Sequence, residues 1–406
     1  MRFLFLTQYF APETGASQVR LDAVTRALHD LGHEVEVVTA MPNYPEGRIA
    51  DAYRRKLYLT ETDRGRTIRR VWLYAAMGTG VRRLANYASF AAMSFPALVR
   101  AKKPDVLVIE SPPLTTAVSG IVAGLLRRVP TVLNIADLWP DSAVDLGILS
   151  PGMVVTLLQV LERWSYRKAT CITAVTMGVR EALIERKSVD PSRIAFLPNG
   201  VDTALFAPHA ATRTSAAKPF EFVVIHPGTL ALAHGLETAI EAMAVIATVR
   251  NDIGLVFIGT GSDHPRIAAL AEAKKLTNVQ FVAPMSPEDL APHVARADLG
   301  LICVRDLPVM RGARPAKTFP LLAAGLPVVF SGEGEGADLV RESEAGVVTA
   351  PGDATALAEA IMRLADDPAG RAALGLNGRR YAERNYSWTS LVATWLEQLT
   401  PMLAPR

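Results

Sequence analysis

Short apolar runs that alternate with amphipathic segments of helical period constrain the fold of this chain more than any other feature of its sequence. Strands that alternate with helices predict parallel βαβ crossovers, and therefore an α/β class with doubly wound sheets. The runs that we interpret as strands are residues 2–7, 34–40, 105–110, 131–135, 171–175, 222–226, 254–258, 279–282, 299–303 and 328–331. The segments that we interpret as helices are 17–31, 86–101, 114–127, 152–168, 177–186 and 236–249.

This alternation is interrupted once, at residues 207–219, where Ala, Thr, Ser and Pro predominate without periodicity. We predict that this segment links two Rossmann-like domains, at 1–206 and 220–380, that face a cleft. A chain of 406 residues, of which 50% are hydrophobic, is long enough for two cores. Ligands of such sheets bind beyond the carboxyl ends of the strands, so the loops after the strands are the candidate sites.

The cysteines and the hydropathy exclude several classes of protein. Cys171 and Cys303 are far apart and belong to no CxxC or His cluster, which argues against a zinc site and against a disulfide framework. No apolar run approaches the roughly 20 residues that a membrane span needs. The first ten residues lack the apolar region of a signal peptide and fit a first strand instead. We therefore expect a cytoplasmic protein without a metal site.

Positive charge is concentrated in the first half of the chain, around the apolar and aromatic stretch at 84–99. One interpretation is peripheral contact with the inner face of a membrane, because cations beside an apolar stretch suit an anionic headgroup layer. The alternative is an ordinary buried helix with a solvated basic edge. Nucleic acid is a poorer explanation, since no recognition motif accompanies the charge. The cations are Arg54, Arg55, Lys56, Arg64, Arg66, Arg69, Arg70, Arg82, Arg83, Arg100, Lys102 and Lys103.

Several dispersed motifs, in order along nearly the whole chain, resemble glycosyltransferase family 4. They are PNGVDTALF at 198–206, GTGSDHPRI at 259–267, the segment 278–301 and the segment 316–340. The resemblance implies the GT-B fold, a nucleoside-diphosphate sugar as donor, UDP-linked, no metal or other cofactor, and retention of anomeric configuration. Residues 137–149 and 228–243 are most similar to the branch that builds bacterial surface polysaccharides and includes fucosaminyl and colanic-acid transferases. The family also implies that a C-terminal helix, within 381–406, crosses back to the first domain.

An enzyme without a metal must stabilise the leaving diphosphate with main-chain N–H groups, helix N-termini and cationic side chains. The resemblance implies that glycine turns approach the donor phosphates, although the first of these glycines can equally serve only a positive φ. The family's arginine and lysine in the turn after residue 226 are replaced by Thr229 and His234, which can donate a hydroxyl and a ring N–H, with a positive charge if the ring is protonated. A helix-capping or purely structural role is the alternative for His234. The implied donor glycines are Gly15, Gly228, Gly259 and Gly261.

Three cations in seven residues, Arg311, Arg314 and Lys317, precede a predicted helix at 318–324 and oppose its dipole, so we expect a bound anion there. A solvated basic loop is the alternative. Lys317 matches the family's Pro-Ser-Lys position and is predicted to be catalytic as well as donor-binding. The family's two glutamates fall at Gly312 and Pro320, neither of which can accept a ribose hydrogen bond; Glu335, or Glu333, is a candidate substitute.

The acceptor is expected at the carboxyl ends of strands in the first domain. Asp137 is the candidate catalytic residue, because a carboxylate near the acceptor hydroxyl can orient it or take its proton; capping or bracing of the loop is the alternative. Glu110, Trp139 and Asp141 are further acceptor candidates. The predicted function is transfer of a sugar to a saccharide acceptor, including a lipid-linked one. The alternatives are a catalytically silent partner, a secondary-metabolite transferase, a phosphorylase and an epimerase.

Overall fold

The computed structural model describes all residues except 14, 79, 146, 148, 151, 209–217 and 404–406. Most of the predicted linker therefore lies outside the described residues. The chain divides into two compact units. The N-terminal unit takes Met1–Glu13, Ser17–Pro198 and the chain from Trp388 onward, and the C-terminal unit takes Asn199–Ser387 together with Gly15 and Ala16.

The N-terminal unit is built on an eight-stranded sheet in the order β3-β4-β2-β1-β5-β6-β7-β8. All neighbouring strands run parallel except β3, which pairs antiparallel with β4 at the edge. The strands are β1 Arg2–Leu6, β2 Glu34–Ala40, β3 Tyr58–Asp63, β4 Arg66–Val71, β5 Val106–Ser111, β6 Thr131–Ile135, β7 Cys171–Ala174 and β8 Ile194–Phe196. The helices are α1 Ala16–Asp30, α2 Val81–Arg100, α3 Leu114–Arg127, α4 Asp141–Asp145, α5 Met153–Lys168 and α6 Met177–Glu185.

The C-terminal unit has a six-stranded, fully parallel sheet in the order β11-β10-β9-β12-β13-β14. Its strands are β9 Phe222–Pro227, β10 Ile253–Ile258, β11 Val279–Val282, β12 Leu299–Cys303, β13 Val328–Ser331 and β14 Gly346–Thr349. Its helices are α7 Glu237–Ala247, α8 His264–Ala273, α9 Pro287–Arg296, α10 Pro308–Arg311, α11 Thr318–Ala323, α12 Glu335–Glu342, α13 Ala354–Asp366 and α14 Pro368–Asn385, and α15, Trp388–Leu403, follows in the N-terminal unit.

These two parallel sheets with helical crossovers confirm the predicted α/β class, and every predicted strand is present within one or two residues. Strands β3, β4, β8 and β14 were not predicted from the sequence. Charged residues interrupt both β3 and β4. Strand β3 is an antiparallel edge strand with mostly exposed residues, and β4 buries Arg66 and Arg70 in ion pairs. The continuous apolar runs used to find strands are typical of strands that are buried on both faces.

The last helix, α15, packs on the sheet of the N-terminal unit. The Trp395 side chain is 1% exposed and its Nε1–H donates to Thr173 Oγ1 at 3.0 Å. Gln398 Oε1 accepts from the Phe196 main-chain N at 2.7 Å. These contacts place α15 in the N-terminal unit.

The division between the units falls at Pro198, earlier than the expected boundary at residue 206. The main-chain N of Val201 donates to Tyr386 O at 2.8 Å, and Arg379 Nη1 donates to Thr203 O at 2.8 Å. These bonds tie residues 199–206 to the C-terminal unit. The same unit keeps α14 up to Asn385, so only α15, rather than all of 381–406, counts with the N-terminal unit.

Candidate active site

The strand order of the C-terminal unit defines where a ligand should bind. Strand β9 is central, and the chain builds outward through β10 and β11 on one side and through β12, β13 and β14 on the other. The crossovers therefore change direction between β9 and β12, and open α/β sheets bind ligands at the carboxyl end of this switch point. The loop at 228–235 follows β9, and the loop at 304–307 follows β12.

The loops after β9 and β10 are hydrogen-bonded to each other. Gly228 N donates to Ile258 O at 2.7 Å, and Leu230 N donates to Thr260 O at 3.0 Å. Gly228 has a φ of 94°, a conformation that L side chains rarely adopt. A Cβ on Gly259 would lie 2.0 Å from Gly228 O, and one on Gly261 would lie 2.1 Å from Leu230 O. The glycines at these positions thus permit close packing of two loops, a role that the sequence argument did not foresee.

Lys317 directly precedes α11, and its ammonium lies beside the loop after β9. Its Nζ is 2.7 Å from His226 Nε2 and donates to Thr229 O at 3.1 Å. Burial lowers the pKa of Lys317 to about 7. Of the predicted donor residues, Lys317, Gly228 and Thr229 are therefore brought together at the switch point.

His226 was missed by the sequence analysis. It is completely buried at the carboxyl end of β9, and its Nδ1 lies 2.9 Å from Leu301 O. The available signal was a single polar residue in an otherwise apolar strand, directly before a Pro-Gly turn. Polar residues at the carboxyl end of a central parallel strand point to a site.

His234 lies in a 3-10 turn, Leu232–His234, and its ring centroid is 6.2 Å from that of His226. Burial, with a smaller effect from Lys317, lowers the pKa of His234 to about 3. The ring is therefore neutral at physiological pH, and the positive charge considered from the sequence is not available. Its Nδ1 accepts from Ala231 N at 3.4 Å, so the ring helps to stabilise the turn at 231–234.

Internal partners hold the other two cations of the basic loop, which corrects the argument that the loop needs a bound anion. Arg311 donates to Asp306 at 2.9 Å on an exposed surface. Arg314 Nε lies 2.8 Å from Glu335 Oε2, and its Nη1 donates to the Tyr386 hydroxyl at 3.0 Å. Arg314 and Glu335 thus neutralise each other, so Glu335 is tied to Arg314 in addition to any role towards a ribose.

Gly312 and Pro320, the two departures from the family pattern, have no side-chain acceptor wherever they lie. Gly312 follows α10 directly, and Pro320 lies inside α11. Glu333 is exposed in the loop after β13. That Glu333 or Glu335 binds the ribose in place of the family's glutamate stays a prediction.

In the N-terminal unit, Glu110 occupies the end of β5 and is buried. Its Oε2 accepts from Asn134 Nδ2 at 2.6 Å, and Arg20 Nη2 reaches Asn134 Oδ1 at 3.4 Å. Burial raises the pKa of Glu110 to about 7, partly offset by the charge of Arg20. Glu110 is only 4% exposed, so little of its surface is accessible to an acceptor. Its hydrogen bond to Asn134 favours a structural role that links β5 to β6.

Asp137, Trp139 and Asp141 follow β6 in chain order, as predicted. Asp137 is exposed, and its Oδ2 accepts from Ser142 Oγ at 2.8 Å. Trp139 is half-buried. Asp141 accepts from Lys187 Nζ at 2.9 Å, and this ion pair makes it a weaker acceptor candidate than Asp137. Gly15 lies in the loop between β1 and α1, directly before α1.

Among the residues that the structure describes, no group of three or more His, Cys, Asp or Glu side chains is placed to hold a metal ion. Both cysteines are free and buried. No helix within the described ranges is long and apolar enough to cross a membrane.

Three arginines that the sequence analysis assigned to a basic, headgroup-facing edge are neutralised inside the unit. Arg66 is completely buried, and Arg70 nearly so. Their ion pairs tie together β2, β3, β4 and α1, which corrects the charge argument for Arg66, Arg69 and Arg70. The ion pairs are Arg66 with Asp22 and Asp63, Arg69 with Glu36, and Arg70 with Glu61.

Comparison with known proteins agrees with this architecture. Residues 15–200 match the glycosyl transferase 4-like domain, and residues 221–367 match the glycosyl transferases group 1. WcaI of Escherichia coli K12, a glycosyl transferase assigned to colanic acid biosynthesis, is 28% identical over 316 residues, which cover 74% of this chain and 76% of WcaI. The 2-deoxystreptamine glucosyltransferase of Streptomyces kanamyceticus is 26% identical over 366 residues, covering 87% of this chain and 90% of that enzyme.

Among solved structures, Anabaena Alr3699/HepE in complex with UDP and glucose superposes with a TM-score of 0.73 at 17% identity, over 98% of this chain and 99% of that one. The two doubly wound sheets and the matches in both halves define a glycosyltransferase of the GT-B class. The chain belongs to glycosyltransferase family 4.

Proposed function

We propose that this glycosyltransferase transfers a sugar from a UDP-sugar to a saccharide acceptor, with retention of configuration and without a metal ion. The observation that carries the proposal is the Lys317 ammonium beside the Gly228–Leu230 main chain at the switch point of the C-terminal sheet. A cation and a glycine turn suit the diphosphate of a nucleotide sugar. The UDP in the HepE complex supports the choice of base.

In the proposed reaction, the bond between the anomeric carbon and the diphosphate oxygen breaks, and a bond from the acceptor oxygen to the same carbon forms on the same face. The nucleoside diphosphate leaves with the negative charge that Lys317 stabilises. The acceptor proton goes to the leaving phosphate or to Asp137, which follows β6 and whose carboxyl has a pKa raised by burial. An Asp137→Asn variant that turned over at the wild-type rate would remove Asp137 from this scheme.

The test is a binding and turnover series. A ligand that binds only the folded state raises the thermal unfolding midpoint, so we expect UDP and UDP-sugars to stabilise the protein more than GDP or dTDP. With an acceptor present, free UDP should be released at the same rate in EDTA as in magnesium. Loss of turnover in EDTA would exclude the metal-independent mechanism. Tight donor binding without UDP release across the acceptor panel would instead favour a silent partner.

A small secondary-metabolite acceptor is the second candidate, favoured by the similarity to the 2-deoxystreptamine glucosyltransferase over most of both chains. An acceptor panel that includes aminocyclitols and lipid-linked saccharides distinguishes the two. Turnover of aminocyclitols alone would select the second candidate.

A lipid-linked acceptor is supported by an apolar face on α5. Apart from Thr156, the exposed side chains in its first half are apolar and lie about one helical turn apart. Its only acidic residue, Glu162, is buried against Lys187 at 2.7 Å. The second half exposes three cations. An apolar strip that leads into positive charge suits an anionic lipid surface. The exposed apolar residues are Met153, Val154, Leu157 and Val160, and the cations are Arg163, Arg167 and Lys168.

We expect the protein to float with vesicles of phosphatidylglycerol at low salt, and a Leu157→Glu variant to lose most of this binding, because a carboxylate on an apolar contact is repelled by anionic lipid. Leu376→Glu is the matched control, since Leu376 is similarly exposed, at 49% against 60%, on α14 of the other unit. Equal flotation of both variants and the wild type would place the membrane contact elsewhere. No flotation of the wild type would exclude it.

A further inference from the structure

The hydrogen bonds of His226 determine which of its ring nitrogens carries the proton. Its Nδ1 lies 2.9 Å from Leu301 O. Since a carbonyl oxygen can only accept, Nδ1 must carry the hydrogen. Burial, and next to it the charge of Lys317, lowers the pKa of His226 well below its ordinary value, so the ring is neutral. Its Nε2 is therefore left with a lone pair.

That lone pair points at Lys317. The Lys317 Nζ is 2.7 Å from His226 Nε2, so the lysine is the donor in this bond, and a second N–H goes to Thr229 O at 3.1 Å. An ammonium group has three N–H donors. With two of them directed at the protein, the third is left for a ligand, and the direction in which it points depends on the first two.

The His226 ring itself is immobilised by packing. It is 0% exposed, and its centroid lies 5.5 Å from that of Phe257, its register partner on β10. A side chain without exposed surface cannot touch a substrate, so any effect on the donor must pass through Lys317.

We propose that His226 is a positioning residue for the donor diphosphate: its Nε2 accepts from Lys317 and thereby fixes the direction of the remaining N–H of the ammonium. This inference rests on the proposed function, in which Lys317 contacts the diphosphate. The proposal adds a residue to the donor site besides the two turn positions, 229 and 234, where the family has an arginine and a lysine. It also explains why a polar side chain occupies the end of the buried strand β9.

Four titratable groups lie together here, and one titrates near neutral pH. The pKa of His226 is well below its usual value, that of His234 is lowered to about 3, and burial raises the pKa of the Cys303 thiol to about 12. Lys317, with a pKa of about 7, is the fourth. The pH dependence of donor binding therefore reports on Lys317.

Glu237 lies beyond this cluster, and its negative charge contributes to the raised pKa of Cys303. Burial opposes ionisation of Glu237, but its ion pairs with Arg266 and Arg305 outweigh burial and lower its pKa. It stays ionised across the same range and adds no transition near pH 7.

Two substitutions separate the two hydrogen bonds of the ring. His226→Asn keeps an N–H near the Nδ1 position for Leu301 O but has no acceptor near Nε2, whereas His226→Gln places an amide oxygen near Nε2. We expect His226→Asn to weaken UDP-sugar binding about ten-fold, the effect of one charge-assisted hydrogen bond, and His226→Gln to stay within about three-fold of the wild type. The pH midpoint of binding should fall in His226→Asn, since the protonated lysine loses an acceptor.

A double-mutant cycle with Lys317→Met tests whether the effect passes through the lysine. In the Lys317→Met background, His226→Asn should cause no further loss of affinity. A further ten-fold loss there, or equal losses in the Asn and Gln variants with an unchanged pH midpoint, would assign His226 a purely structural role and overturn the proposal.

A measurement on the wild type does not depend on the folding of any variant. In a 13C NMR titration, Lys317 should change protonation near pH 7; a transition near the ordinary value of 10.5 would overturn the buried pair. If Lys317 titrates near 7 but no sugar nucleotide binds, the proposed function fails while the pair of side chains stands, and the role in donor positioning is withdrawn.

Discussion

A Lys317→Met variant should bind UDP-sugars on the order of 10- to 100-fold more weakly than the wild type, because a charge-assisted hydrogen bond contributes about 1.5–3 kcal/mol. Methionine fills a similar volume without the ammonium, so the change is chiefly one of charge. Isothermal titration calorimetry with the donor measures the loss. In the structure, Lys317 is the cation of the basic loop that lies beside the turn after β9, whereas Arg311 and Arg314 are each paired with a carboxylate.

The same lysine predicts how donor binding depends on pH. Its pKa of about 7 means that the free protein holds the proton below pH 7 and loses it above. A bound diphosphate stabilises the protonated form and raises the pKa, so binding takes up protons near neutral pH. The affinity for the donor is therefore highest below pH 7. It declines as the pH rises above 7 and levels off once the pH exceeds the pKa of Lys317 in the complex.

The matched control is Lys274→Met, which removes an exposed lysine from the same unit, directly after α8. This variant should keep both the affinity and the pH profile of the wild type. Unfolding midpoints of both variants show whether they fold. Wild-type donor affinity in a folded Lys317→Met variant, or an unchanged pH profile, would exclude Lys317 from the donor site.

A Gly261→Ala variant should be destabilised by about 1–3 kcal/mol and should also lose donor affinity. The added Cβ would lie 2.1 Å from Leu230 O and 2.6 Å from its carbonyl carbon, so it is the backbone of the loop after β9 that must move. That movement breaks the bond from Leu230 N to Thr260 O and displaces Thr229, whose carbonyl accepts from Lys317. Urea unfolding gives the stability, and calorimetry gives the affinity.

Gly152→Ala makes the same chemical change where a Cβ meets nothing within 4 Å, so it should leave the donor affinity unchanged and lose only the small stability that glycine provides as the N-cap of α5. If Gly261→Ala were as stable as Gly152→Ala and bound the donor normally, close packing of the loops after β9 and β10 would not require glycine at position 261. A loss of stability without a loss of affinity would separate loop packing from donor binding.

Much of the fold could be predicted from local pattern. Strands such as β5 and β12 are continuous apolar runs because parallel strands are buried on both faces, and this makes them visible in the sequence. Among the strands that escaped prediction, β3 and β4 carry charged side chains that pair across the sheet and with α1. A local pattern does not show which carboxylate, far along the chain, neutralises a buried arginine such as Arg66.

The candidate site was predicted less completely. The positions of Lys317, Gly228 and Thr229 were identified from motifs, and the structure brings these residues together. The motifs could not show that Arg314 is paired with Glu335, or that burial keeps the ring of His234 neutral. Both facts depend on the low polarity of the surroundings and on partners that are distant in sequence.

The sequence by itself determined the α/β class, the duplication of the doubly wound pattern and the family, because period and motif order are properties of the chain alone. The tertiary structure alone decided which cation is oriented by buried neighbours and which are neutralised by carboxylates. Protonation and hydrogen-bond direction depend on distances of about 3 Å between atoms that folding brings together, and His226, unremarked in the sequence, acquires its proposed role only through Leu301 on one side of its ring and Lys317 on the other.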